Sequence, residues 1–171
     1  AKESAKKSFN DVRDDARAAW NKLLSRFTVK GTAKERSLFY TALYHTAVQP
    51  HDITDVDGRY RGADDKIYQT KVHYSEMSLW DTYRASHPFY TLAFPELVDG
   101  FINTLIAQSR QQGYLPIWPL RGQETDCMIG NPAVSVIADA YLKGFRGFDA
   151  ETAWTEIVKS LENPRPNSRV D

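Results

Sequence analysis

The sequence predicts an all-α fold. Three observations carry that expectation: six segments repeat apolar residues at helical spacing, most of them open on a capping residue or a proline, and no convincing sheet can be read anywhere. Two connections, residues 49–74 and 113–130, are long, polar and aromatic, where a simple bundle has short ones. Helical hairpins stacked around an axis, with long loops building a site at one rim, account for both features. Part of a helical toroid is therefore expected rather than a free-standing bundle.

The first helix opens at Ser8, with Asp11 three residues on, and carries Phe9, Val12, Ala16, Ala19, Trp20, Leu23 and Phe27 on one stripe. The second follows Gly31: Thr32 and Glu35 make a capping box, and Leu38, Phe39, Leu43 and Ala47 form the stripe before Pro50. A short turn makes these two an antiparallel pair. From 49 to 74 the helical period vanishes into turns and a hairpin, with Ile67, Tyr68, Val72 and Tyr74 as weak strand signals. Ser78 and Asp81 start a third helix, SLWDTYRAS, which Pro88 should kink or end near His87. Pro95 occupies the first turn of a fourth, whose wide apolar face of Leu97, Val98, Phe101, Ile102, Leu105 and Ile106 ends at Gly113. After an irregular segment, Asn131 and Pro132 open a fifth helix through Val134, Ile137 and Tyr141 to Gly144. Asp149 caps a sixth that buries Ala153, Trp154, Ile157 and Leu161. Residues 1–162 read as one partial domain, and the proline-broken tail 163–171 as a polar linker.

At 171 residues and 42% hydrophobic, the chain can bury a core. Its 22 basic and 22 acidic side chains cancel, and no basic stripe gives nucleic acid an electrostatic footprint. No apolar run is long enough to span a bilayer. Cys127 has no partner for an internal disulfide, and no cysteine-histidine cluster has zinc spacing.

Three segments stand out from the helices. In GYLPIWPLRGQETDCMIG, Glu124 lies among Tyr114, Trp118 and prolines. An acid against apolar rings has its charged form disfavoured, which suits a general acid. Asp126 reads as a helper, because near neighbours on a loop need not reach the roughly 6.5–9.5 Å that glycoside inversion wants between two carboxyl groups. In SLWDTYRASHP, Trp80, Asp81, Tyr83, Arg84 and His87 crowd a helix start. Capping and an i,i+3 ion pair explain Asp81 and Arg84. A sugar platform, with Trp80 covering a C–H face and Asp81 and Arg84 taking hydroxyls, explains the whole set. In DITDVDGRYRG, Asp52, Asp55 and Asp57 have the outline of a calcium loop, but position 63 is Ala where an EF-hand needs Glu, so Asx-turns explain them better. No serine sits in a nucleophile elbow.

Taken together, FYTALYHT, DVDGRYRG, SLWDTYR followed by HP, WPLRGQETDCMIG and AVSVIADAYLKGFRGFD resemble glycoside hydrolase family 92, the calcium-dependent exo-acting α-mannosidases, from about Phe9 to about Ser160. The resemblance implies about half of an (α/α)6 toroid, inverting release of a terminal α-mannose, α-1,2-linked, from a glycan, and a calcium ion whose ligands it does not assign. It places the general acid on Glu124 and sugar contacts on Trp80, Asp81, Trp118, Gln123, Asp126 and Cys127, with Gln123 standing where many members have Asn. It also implies an extracellular or periplasmic location. The motif that carries the family's general base, and its preceding β-sandwich domain, have no counterpart here. The expectation is thus an acid-bearing part of an enzyme, inactive alone, with the remainder of the catalytic domain and the β-sandwich as partners. Half a toroid should also expose an apolar face. The competing expectation is a non-catalytic helical module that binds glycans or a partner through its aromatic loops. A trehalase-like toroid fits WPLRGQETDCMIG less well.

Overall fold

The structure, a computed structural model, describes residues 6–162. The expected linker at 163–171 lies outside the described residues. Within them are seven helices and six short strands: α1 Phe9–Leu24, α2 Ala33–Val48, β1 His51–Asp52, β2 Arg59–Arg61, β3 Ile67–Gln69, β4 Tyr74–Ser75, α3 Leu79–Thr82, α4 Ser86–Ala93, α5 Pro95–Gln112, β5 Pro119–Leu120, β6 Gln123–Glu124, α6 Pro132–Leu142 and α7 Ala150–Glu162. They group into two compact units, Ala1–Gln49 and Pro50–Asp171.

In the first unit both capping boxes form. Ser8 Oγ accepts from Asp11 N at 3.2 Å while the Asp11 carboxylate accepts from Ser8 N at 2.8 Å. Thr32 and Glu35 repeat the exchange at 3.3 and 2.7 Å. The first helix stops at Leu24 rather than running to Phe27. Phe27 instead meets Phe39 edge-on at 6.3 Å, and its carbonyl accepts from Tyr40 OH at 2.8 Å. Trp20 packs on Tyr44 at 4.5 Å. The apolar stripe of α1 is present as a pattern, yet none of its residues is buried and Phe9 is 82% exposed.

The second unit holds the core. Antiparallel ladders join β1 to β4 and β2 to β3, so the hairpin expected between 49 and 74 exists, nested inside a second pairing. The helix expected over SLWDTYRAS is two. α3 ends at Thr82, and Pro88 sits in the first turn of α4 rather than at the end of α3. First-turn N–H groups have no intrahelical partner, so proline is tolerated there. α5 buries Val98, Phe101, Ile102, Leu105 and Ile106 against α4, α6 and α7, and ends on Gly113 in the left-handed region at φ 99°. Asp149 caps α7 by accepting from Glu151 N and Thr152 N at 3.0 and 3.1 Å. The expected apolar face is found on α6 and α7. An open groove of about 600 Å³ runs between Val134, Ile137, Tyr141, Phe148, Trp154 and Ile157, with Trp154 64% exposed.

Two histidines are buried in this core. His87 lies edge-on to Tyr90 and Phe101 at 5.5 and 5.7 Å, and His73 stacks on Tyr60 at 3.8 Å. Burial lowers both from 6.5 to about 4, with Asp139 and Asp52 opposing weakly. The folded chain therefore keeps them neutral across a window, about pH 4 to 6.5, in which the unfolded chain takes up protons. Stability should be flat above pH 7 and fall as pH drops through that window, by about 2 kcal/mol per histidine between pH 7 and 5. Urea unfolding at the two pH values measures it. His73→Asn and His87→Asn should each flatten the dependence, and an unchanged slope in both would contradict the assignment.

Candidate active site

The segment expected to be irregular contains a hairpin. β5 and β6 pair Pro119 with Glu124 and Leu120 with Gln123, leaving Arg121 and Gly122 as the two turn residues. Both have positive φ, 53° and 79°, as a type I′ turn requires. Gly122 is needed for space as well, since a Cβ there would lie 3.0 Å from Ile53 and 3.1 Å from the Arg61 carbonyl.

Glu124 stands at the far end of this hairpin, half-buried. Its Oε1 accepts from Trp118 N at 3.1 Å, Thr125 N at 2.8 Å and Asp126 N at 3.0 Å. Its Oε2 accepts from Ile117 N at 2.5 Å and, more distantly, from Trp118 N at 3.4 Å. The oxygens thus face main-chain N–H groups, not the aromatic walls that sequence reading placed around them. Pro119, opposite Glu124, brings no N–H to the ladder. The Thr125 hydroxyl closes the ring by donating to the Trp118 carbonyl at 2.8 Å.

The segment that donates to Glu124 also seats the second motif. Ile117 gives its N–H to Glu124, and its carbonyl accepts from Leu79 N at 3.2 Å. Leu115 N donates to Ser160 Oγ on α7 at 3.1 Å. Residues 115–118 therefore join Glu124 to the start of α3, where Trp80 is half-buried and Asp81 exposed. The Asp81 carboxylate accepts from the Ser78 hydroxyl. Arg84 lies 5.2 Å over the Trp80 ring and 4.7 Å over Tyr83. A recess of about 250 Å³ opens beside them, lined by Trp80, Tyr83, Ile129, Asn131, Pro132 and Ser135. That is below the roughly 300–1,000 Å³ of typical small-ligand sites.

The remaining expected site residues divide. Trp118 is half-buried and supplies N–H to Glu124. Asp126, at φ 52°, does the same with its own N–H. Cys127 is exposed. Gln123 turns the other way: its Nε2 donates to the Gly62 carbonyl at 2.9 Å, tying the hairpin to the β2–β3 turn. His87 belongs to the core. The three aspartates serve their own loop, with Asp52 accepting from Thr54 N at 2.9 Å, Asp55 from Val56 N at 2.7 Å and Asp57 from Arg59 N at 3.1 Å. Among the described residues no group of three or more His, Cys, Asp or Glu side chains could hold a metal ion. No described helix is long and apolar enough to cross a membrane. Sequence reasoning missed Ser75, Glu76 and Ile117. The Arg-Gly pair between PL and QE was the available signal for the turn.

This arrangement has known counterparts. The model of the glycosyl hydrolase family 92 catalytic domain matches residues 1–171. A family GH92 α-mannosidase from Bacteroides thetaiotaomicron superposes with a TM-score of 0.92 at 38% identity, over 96% of this chain and 23% of that one. The same enzyme in complex with mannoimidazole gives 0.92 and 38%, over 96% and 22%. The family GH92 inverting mannosidase from Bacteroides thetaiotaomicron VPI-5482 gives 0.89 at 29%, over 97% and 23%. Among curated protein sequences none matches. The chain thus spans about a quarter of the length of these structures, and its helices are those of part of the family's helical toroid. With the whole chain inside the family model and the hairpin, its carboxylate and the Trp-Asp helix in one fold, this protein belongs to glycoside hydrolase family 92.

Proposed function

We propose that the chain is the acid-bearing part of an inverting exo-α-mannosidase that removes terminal α-1,2-linked mannose from glycans in an extracellular or periplasmic setting. Glu124 protonates the departing glycosidic oxygen, and a carboxylate from the remainder of the catalytic domain activates water on the opposite ring face. The placement of Glu124 carries this reading: it is half-buried and fixed by the N–H groups of residues 117, 118, 125 and 126, and the Ile117 carbonyl in turn accepts from Leu79 N at the start of α3. Support comes from one neighbour described as an α-mannosidase and another as an inverting mannosidase.

Oε1 carries three N–H contacts, Oε2 one short and one long. These contacts hold the carboxyl group in one orientation on the hairpin. Trp80 offers a ring face to the sugar and Asp81 an exposed carboxylate for its hydroxyls. Asp126 and Cys127, which follow the acid in the chain, shape its surroundings, while Gln123 anchors the hairpin to the β2–β3 turn. Calcium belongs to the complete site in this proposal, but no carboxylate cluster among the described residues fits it alone, so its oxygen ligands come largely from elsewhere. The remainder of the domain and the β-sandwich complete the pocket.

Three outcomes are expected. The 171-residue chain should release little mannose from α-1,2-mannobiose with calcium present; robust release abolished by Glu124→Gln would show a complete site within these residues. In the full-length gene product, Glu124→Gln should lower kcat on mannobiose by about 10²–10⁴-fold. It should spare a dinitrophenyl mannoside, whose leaving group needs no proton, and equal losses on both substrates would remove the acid role. Glu124→Gln also turns an NH2 group toward main-chain donors. Urea unfolding of the chain should therefore show a loss of about 1–3 kcal/mol, and full retention of stability would contradict the N–H cage.

A further inference from the structure

The turn that carries Glu124 is held from outside the hairpin by two consecutive residues. Ser75 Oγ, fully buried, accepts from Gly122 N at 2.7 Å. Glu76 Oε1 accepts from Arg121 N at 2.9 Å. The other carboxylate oxygen, Oε2, meets His51 Nδ1 at 3.1 Å, so the Glu76 side chain is gripped at both ends and is only 12% exposed. Glu76 and Arg121 both adopt positive φ, 58° and 53°, which non-glycine residues rarely do. The left-handed turn thus hangs on acceptors supplied by the end of β4, not on hairpin contacts alone.

We propose that Glu76 is a positioning residue for Glu124: by capping the Arg121 N–H, with Ser75 capping Gly122, it fixes the register that brings Glu124 under the Ile117 and Trp118 N–H groups. Release of the turn lets β6 rotate, and the acid carboxyl leaves the position from which it reaches the glycosidic oxygen. Chemistry suffers while ground-state sugar binding, which rests on α3, does not. The inference rests on Glu124 being the acid, and the comparison with Glu124→Gln separates the two.

The test uses the full-length gene product, α-1,2-mannobiose and a dinitrophenyl mannoside. Glu76→Ala should lower kcat on mannobiose by about 10–100-fold, leave KM within about twofold, and leave turnover of the dinitrophenyl substrate intact. Glu76→Gln keeps an oxygen that can accept from Arg121 N and should recover most of the loss. Unchanged turnover of mannobiose by Glu76→Ala, equal losses on both substrates, or no recovery with Gln would each overturn the proposal, provided Glu124→Gln shows the leaving-group signature. If Glu124→Gln lacks that signature, the acid assignment falls first and takes this one with it. Should Glu76→Ala fail to fold, Glu76→Asp keeps the charge, tolerates the left-handed backbone and shortens the reach; the same kcat loss confined to mannobiose is then expected, and its absence is decisive against.

Discussion

The candidate site depends on one constraint, the run Leu115–Trp118, whose main chain is bonded on both sides. Its N–H groups at 117 and 118 point into the Glu124 carboxylate, and its 117 carbonyl accepts from the first residue of α3. Ser160 on α7 takes the N–H at 115. Buried main-chain polar groups must find partners. Here the partners are the parts of the site, so the demand that stabilises the segment also assembles it.

The short strands have a matching purpose. Each is two or three residues long and pairs with one other strand, but together β1, β4 and the β2–β3 turn bring Glu76, Ser75 and the Gly62 carbonyl to the hairpin. Each takes a polar group that the tight turn or Gln123 would otherwise leave unpaired. Positive φ at Arg121, Asp126 and Met128 sits within eight residues of one loop. Strain of this density persists only where surroundings over-determine the backbone, and these cross-loop bonds supply that determination.

What was legible in the sequence follows from the range of each interaction. Capping boxes at Ser8 and Thr32, the proline starts of α5 and α6 and the Gly113 stop are local devices that act within a turn of the residues that display them, so they could be read directly. The seating of α3 could not be: its first residue, Leu79, gives its N–H to the Ile117 carbonyl, 38 positions away. The Glu124 environment was misread for the same reason. Neighbouring Trp and Pro in the sequence suggested apolar walls, whereas the fold turns the oxygens toward backbone amides. Family motifs pointed to Glu124 and the Trp-Asp helix, while Ser75 and Glu76, acting from more than 40 positions away, left no local mark.

The groove on α6 and α7 bears on how such a segment acts. Soluble proteins rarely leave contiguous apolar surface of this kind uncovered, and Leu142 and Trp154 stand 84% and 64% exposed beside it. The recess beside Trp80 is likewise too small for a finished sugar site, and no carboxylate is among its described lining residues. Both features have one explanation under the proposed function: further helices of the toroid cover the groove, and elements beyond this chain close the recess from the side that supplies the base. The acid would then be set by contacts internal to the segment, and only water activation and metal binding would await the rest. That division fits a site whose acid is over-determined locally by the amides around Glu124 and by the residues behind its turn.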